Sequence, residues 1–367
     1  MKIADIQVGR IAIPLKRPFK TALRTVERID DVIVKITADT GEIGYGEAAP
    51  TAVITGDTIG SITGAIETVI AKQLIGAEIG NLEEIMQRLD GCIVKNTSAK
   101  AAVDIAVYDL FGQLHKTALY KLWGGYRKTL LTDITISVNE PEQMAQDSAA
   151  AVALGYNTLK IKVGKEPAKD IARLRAIRRA VGPEVKLRVD ANQGWKPKEA
   201  VRILRLMEDE GFDIEFVEQP VIAHDLEGLK HVTDHVAIPV LADESVFAPL
   251  DAVKIMQMRA ADLVNIKLMK TGGIHNALKI CALAETYGVE CMIGCMLEGK
   301  ISVTAAVHLA AAKSVITRID LDGPVLCSED PVEGGAIFCE QQITVTDDPG
   351  FGFKEIHGVT YRPERQL

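Results

Sequence analysis

The sequence predicts an α/β protein: an antiparallel α+β unit followed by a barrel of eight parallel βα units. Five short runs rich in β-branched residues each end on a charged side chain, namely Lys162, Asp190, Glu218, Asp243 and Lys267. These ends fall 28, 28, 25 and 24 residues apart, about one strand, one helix and two loops. Helical patterns such as Asp170-Ile-Ala-Arg-Leu-Arg-Ala-Ile-Arg-Arg fill the gaps, whereas residues 1–125 follow a different grammar. When parallel βα units close into a barrel, the C-terminal strand ends converge on one face. Lysines and carboxylates should therefore meet around one small space.

In chain order, residues 3–14 and 31–48 read as strands, with Asp39-Thr-Gly-Glu as a turn. A loop carrying Arg24 follows Pro18, and a second loop runs from Pro50 to Asp57. Helices are expected over 58–73, 81–92 and 97–115, the last capped by Thr97-Ser98. Gly124-Gly125 marks a boundary, giving an N-terminal domain over 1–125, a barrel over 126–323 and a C-terminal segment over 324–367. The barrel should start at Thr132–Val138, and runs at 290–295 and 315–320 complete eight strands. In the tail, Gln342-Ile-Thr-Val-Thr346 is expected to return to the N-terminal domain.

At 367 residues two domains are expected rather than one. Hydrophobic residues make up 47% and charged ones 25%, and the net charge of −8 gives no electrostatic reason to expect nucleic acid or an anionic membrane. Six cysteines show no CxxC pair and no metal spacing, Cys291 and Cys295 reading as core thiols. Neither a signal peptide nor an uncharged apolar stretch of membrane-spanning length is evident, so a reducing cytoplasm is expected. A homo-oligomer is expected too.

Asp190, Glu218 and Asp243 lie on three successive strand ends. One such acid would read as an ion pair or helix cap; three all-oxygen donors in register suit a hard divalent cation, Mg²⁺ above Zn²⁺. Lys160 and Lys162 alternate with Leu159 and Ile161 and so share a face, which is inward because the outer face meets apolar helices. Lys267 sits four strands farther round. Two amines flanking a cation-bound substrate can act as base and acid on opposite faces, and positive neighbours lower an amine's pKa. The chemistry that fits is proton abstraction beside a carboxylate, with Mg²⁺ offsetting the charge of the enediolate.

Lys160-Ile-Lys162, Asp190-Ala-Asn192, Glu218-Gln-Pro220, Ala242-Asp243-Glu244-Ser245 and Asn265-Ile-Lys267-Leu-Met-Lys-Thr-Gly-Gly273 resemble the enolase superfamily, muconate-lactonizing subgroup; enolase-superfamily sites with a Lys or His base and Mg²⁺ are a known pattern. The resemblance implies an α+β domain capping a modified (β/α)₇β TIM-type barrel. It implies metal ligands Asp190, Glu218 and Asp243, acid/base residues Lys162 and Lys267, and Lys160 on the substrate carboxylate. Asp320-Leu-Asp322 is similar to the Asp-x-Asp with which dipeptide epimerases hold a substrate ammonium, although alone it reads as a turn. Among these the L-Ala-D/L-Glu epimerases are most similar, and there the counterpart of Arg24 faces the substrate side chain. Thr135, Cys295, Leu297 and Glu298 are candidates to line the pocket, and packing or loop polarity accounts for them equally well.

The sequence thus points to a Mg²⁺-dependent epimerase acting on the C-terminal residue of a dipeptide, Glu-like or hydrophobic. An o-succinylbenzoate synthase or muconate cycloisomerase would use the same site without needing Asp320 and Asp322. A non-catalytic small-molecule binding protein is the rival of another class.

Overall fold

The computed structural model describes residues 1–20, 25–164 and 166–361. Strands Ile3–Lys20, Thr25–Ala38 and Ile43–Ala48 form an antiparallel sheet, the first two longer than expected because their pairing continues as far as Lys20 and Thr25. The buried helix Thr97–Leu114 packs on this sheet, apolar nearly all round as an enclosed helix must be. Gly46 permits the contact, since a Cβ there would lie 1.8 Å from the Ala102 carbonyl oxygen. The expected Thr97-Ser98 cap is not used. Asn96 is the N-cap residue, in a left-handed conformation and with no side-chain bond to the helix, and Asp57 Oδ2 accepts the Ser98 N–H at 3.1 Å.

Eight parallel strands follow one another in sheet order: Ile134–Ile136, Thr158–Lys162, Lys186–Asp190, Ile214–Glu218, Val240–Ala242, Leu263–Ile266, Glu290–Gly294 and Ile316–Asp320. The two edges meet where Asp133 N–H donates to the Ile319 carbonyl at 3.3 Å and Leu321 N–H to Thr132 Oγ1 at 2.9 Å. Phe216, Leu241, Leu263 and Met292 fill the barrel interior. Arg188 lies over Phe216 and pairs with Asp133 and Glu215, both at 2.7 Å. Register brings the charged ends level: Lys162 pairs with Asp190, and Asp190 with Glu218.

The tail corrects one expectation. Gln342–Thr344 pairs with Thr129–Leu131 and Ile337–Cys339, not with the N-terminal sheet. The return is made by Thr360–Tyr361, which pairs with Gly9 and Arg10 as a fourth strand.

Candidate active site

The barrel mouth opens into a cleft lined by Lys160, Lys162, Lys267, Asn192, Thr135, Cys295, Leu297, Asp320 and Asp322, with Phe19, Val53 and Ile54 from the N-terminal domain completing the lining. Lys162 Nζ lies 2.6 Å from Asp190 Oδ2, and Lys267 Nζ lies 2.7 Å from Asp243 Oδ2. The two amines therefore approach from strands four apart in a barrel of eight, each against its own carboxylate. Lys160 Nζ reaches Asp320 Oδ2 at 2.6 Å, Glu218 Oε2 at 2.7 Å and Asp190 Oδ2 at 3.3 Å. All seven groups are buried.

Side chains with no catalytic task hold this set. Asn265 Nδ2 donates to Glu218 Oε1 at 2.9 Å, and Lys270 pairs with Asp243 Oδ1 at 2.6 Å. Gln219 Oε1 accepts the Asp243 N–H at 2.9 Å. Just beyond the strands, Asn192, Gln193 and Gln219 adopt φ of 43, 65 and 36°, the left-handed region that non-glycine residues hold only under local constraint. Gly294 leaves room for Lys267: a Cβ there would sit 2.9 Å from Lys267 Cε. The sequence motifs contained Asn192, Gln219, Glu244, Asn265, Lys270 and Gly294, but their type alone gave no role. Position beside or facing a strand-end acid was the available signal.

Charge explains the protonation pattern. Burial alone would raise Asp190 and Asp243, but the adjoining ammoniums outweigh it and hold both below the usual carboxylate range. Glu218 goes the other way: burial and Asp190 push it up to about 7 despite Lys160. Burial, then Asp243 and Asp190, push Glu244 up to about 8. Burial would lower Lys160 and Lys267, yet the carboxylates facing them raise both. The carboxylates facing Lys160 and Lys267 thus hold both as ammoniums, and added positive charge is what would free an amine here.

A divalent cation fits that requirement. Six buried carboxyls (Asp190, Glu218, Asp243, Glu244, Asp320 and Asp322) face four buried lysines (160, 162, 267 and 270), an excess of two negative charges when all are ionised. Glu218 Oε2 lacks an aligned hydrogen-bond donor, although the Lys160 ammonium stands 2.7 Å away as its counter-ion. The donors are all oxygen, as Mg²⁺ prefers. The strand-end acids are held apart by the ammoniums between them. Among the described residues, the one acid/His trio with atoms already within 4.8 Å is Glu333, Glu355 and His357, an exposed surface cluster.

Of the other expected pocket residues, Thr135 lines the cleft and its N–H donates to Asp322 Oδ2 at 2.8 Å. Burial and Asp320 push Asp322 up to about 6. Cys295 and Leu297 line the wall, but Glu298 does not: its carboxylate turns back to the Met296 N–H at 2.6 Å and to Ser302 Oγ. Its own loop and the next helix supply these donors. Arg24 lies outside the described residues.

Comparison with known proteins adds independent support. Residues 4–124 match the family described as mandelate racemase / muconate lactonizing enzyme, N-terminal domain, and residues 143–355 the family described as enolase C-terminal domain-like. The chain is 64% identical to an L-Ala-D/L-Glu epimerase of Clostridium acetobutylicum over 97% of this chain and 100% of that one. It is 48% identical to a hydrophobic dipeptide epimerase of Enterococcus faecalis over 91% and 94%. A substrate-liganded L-Ala-D/L-Glu epimerase from Bacillus subtilis superposes with a TM-score of 0.95 at 52% identity, covering 98% of this chain and 100% of that one. The E. faecalis dipeptide epimerase complexed with Mg and L-Leu-L-Tyr gives 0.94 at 46% identity, covering 97% and 100%.

Proposed function

The chain belongs to the mandelate racemase / muconate lactonizing enzyme family of the enolase superfamily, and from that membership and the geometry of the mouth we propose that it is a Mg²⁺-dependent dipeptide epimerase. The observation that carries the reading is the pair Lys162 and Lys267, set on opposing strands against different carboxylates, with Asp320 and Asp322 beside them. Asp190, Glu218 and Asp243 would hold the cation. When bound, Mg²⁺ supplies positive charge where the substrate carboxylate accumulates negative charge on losing its α-proton.

The residues then divide the work. Asp320 and Asp322 take the free ammonium of the N-terminal residue, which orients the dipeptide across the cleft. Lys160 donates to the α-carboxylate. One of Lys162 and Lys267, in its neutral form, removes the α-proton from one face. The other, as an ammonium, returns a proton to the opposite face, and the carbon inverts. Each lysine exchanges roles in the reverse direction, so L and D epimers interconvert. The apolar wall of Phe19, Val53, Ile54 and Leu297 favours dipeptides whose C-terminal side chain carries methylene or larger apolar groups, a set that includes Glu and the hydrophobic residues.

The same reading takes residues 1–125 as the capping domain, 126–323 as the barrel and 324–367 as the returning segment. It also takes the enzyme to be cytoplasmic and homo-oligomeric. All six cysteines are free, and no described helix is long and apolar enough to cross a membrane. Sedimentation tests the oligomer.

The test of function is a dipeptide library incubated in D₂O and read by mass. A one-dalton gain with loss of stereochemical purity is expected, abolished by EDTA and restored by Mg²⁺. No deuterium in any dipeptide, with uptake instead into a substrate lacking an ammonium, would favour the lyase or cycloisomerase chemistry.

A further inference from the structure

Glu244 follows Asp243 at the end of the fifth barrel strand and takes no part in the reaction above. It is 5% exposed, and neither carboxylate oxygen has a hydrogen-bond donor among the described residues. Its electrostatic neighbours include Asp243, Asp190, Glu218, Lys267 and Lys270, so it stands among the strand-end acids and the lysines that pair with them. Two carboxamides share its condition. Asn192 Nδ2 donates to Asp190 Oδ2 at 3.3 Å and Asn265 Nδ2 to Glu218 Oε1, yet Asn192 Oδ1 and Asn265 Oδ1 have no donor. The orphaned atoms beside the three acids are therefore all acceptors.

Buried acceptors are ordinarily satisfied, and a set of them implies a source of O–H or N–H groups. Water bound to a divalent cation is such a source: its lone pair is committed to the metal, and both hydrogens must be donated. Mg²⁺ loses water reluctantly and keeps several molecules when only a few carboxylates bind it directly. We propose that Glu244 is an outer-sphere ligand, its carboxylate accepting hydrogen bonds from water on the cation held by Asp190, Glu218 and Asp243, with the carbonyl oxygens of Asn192 and Asn265 as its helpers. A carboxylate kept for packing would have protein donors, as Asp243 has Lys267 and Lys270. Glu244 thus adds to cation affinity before any substrate arrives.

This rests on the preceding reading only for the presence of a divalent cation, so the test omits substrate. The whole substrate-free protein is titrated with Mn²⁺ by electron paramagnetic resonance and with Mg²⁺ by calorimetry. Partners outside the coordination sphere commonly change affinity 10- to 100-fold. Glu244→Gln keeps the size of the side chain and removes its charge, so Kd should rise about 10- to 100-fold while the melting temperature of the metal-free protein is unchanged. Glu244→Asp, which keeps the acceptor, should bind more tightly than Glu244→Gln. A Kd within twofold of wild type for folded Glu244→Gln overturns the inference and leaves the epimerase reading intact. If Glu244→Gln does not fold, Glu244→Ala decides: a Kd raised about 10-fold or more supports the inference, and a Kd within twofold of wild type overturns it. A wild-type protein that binds neither ion defeats both proposals.

Discussion

Lys160 joins two parts of the mouth that a dipeptide would occupy together. Its ammonium contacts Asp320 at one end and Glu218 and Asp190 at the other. Burial raises Asp320, but Lys160 and Lys267 outweigh it and hold the carboxyl below its usual range, so it is ionised whenever an ammonium arrives. A substrate ammonium offers Asp320 a second cation and leaves Lys160 free for the α-carboxylate. A charge-assisted contact contributes about 1.5–3 kcal/mol, so N-acetylated dipeptides should lose roughly 10- to 150-fold in kcat/KM. Asp320→Asn should reduce that preference toward one. Equal turnover of free and acetylated substrates by the wild-type enzyme would show that the pair does not read the amino group. At this scale the sequence showed the strand-end acids and lysines because each closes a β-type run. The direction of Glu298 was not legible, because it depends on donors: its oxygens found Met296 N–H and Ser302 Oγ, contacts that sequence spacing does not reveal.

The elements around the mouth are tied together by acids placed at helix starts that lack caps of their own. Helix Ile274–Tyr287 begins after Gly273, and Asp104 of the N-terminal domain accepts the Ile274 and His275 N–H groups at 2.7 and 3.2 Å. Helix Lys300–Ala312 begins after Gly299, with Asp31 accepting the Gly299 N–H and Glu47 the Ser302 N–H. Both glycines are required, since a Cβ at either would lie 2.2 Å from the acid that caps the helix. A negative group at a helix start also meets the favourable end of the macrodipole. Asp104→Ala leaves one buried and one half-buried donor unpaired and should cost about 1–3 kcal/mol, measured by urea unfolding, with Asp104→Asn recovering part of it. A loss under about 0.5 kcal/mol would mean that water or neighbouring groups replace the bond. None of this was legible in sequence, where the partners stand 170 residues apart. The βα period was legible, because alternation and strand length are local. Its limit was the tail, where Gln342–Thr344 looks like a strand but its partner is chosen by packing.

Across the whole molecule, burial of acids between the N-terminal sheet and the barrel should make stability depend on pH. Asp109 is the simplest case: burial pushes it up to about 7, although the Phe351 and Tyr45 N–H groups, at 2.9 and 3.3 Å, pull it down. A carboxyl whose folded pKa is raised stabilises the fold most below its unfolded pKa, near 4, and that contribution is lost as pH rises through about 7. The stability of wild type minus that of Asp109→Asn should therefore fall on going from about pH 5 to about pH 8, by on the order of 1–3 kcal/mol. A difference constant across that range would mean that Asp109 is not protonated in the folded protein. The assembled mouth is built to pass one proton across the α-carbon between two lysines. Incubating each pure epimer of a turned-over dipeptide in D₂O with Lys162→Ala and with Lys267→Ala checks this transfer. Neither variant should epimerise, each should exchange the α-proton of at most one epimer, and the two should select opposite epimers. Exchange of both epimers at equal rates by both variants would contradict the division of labour between the two faces.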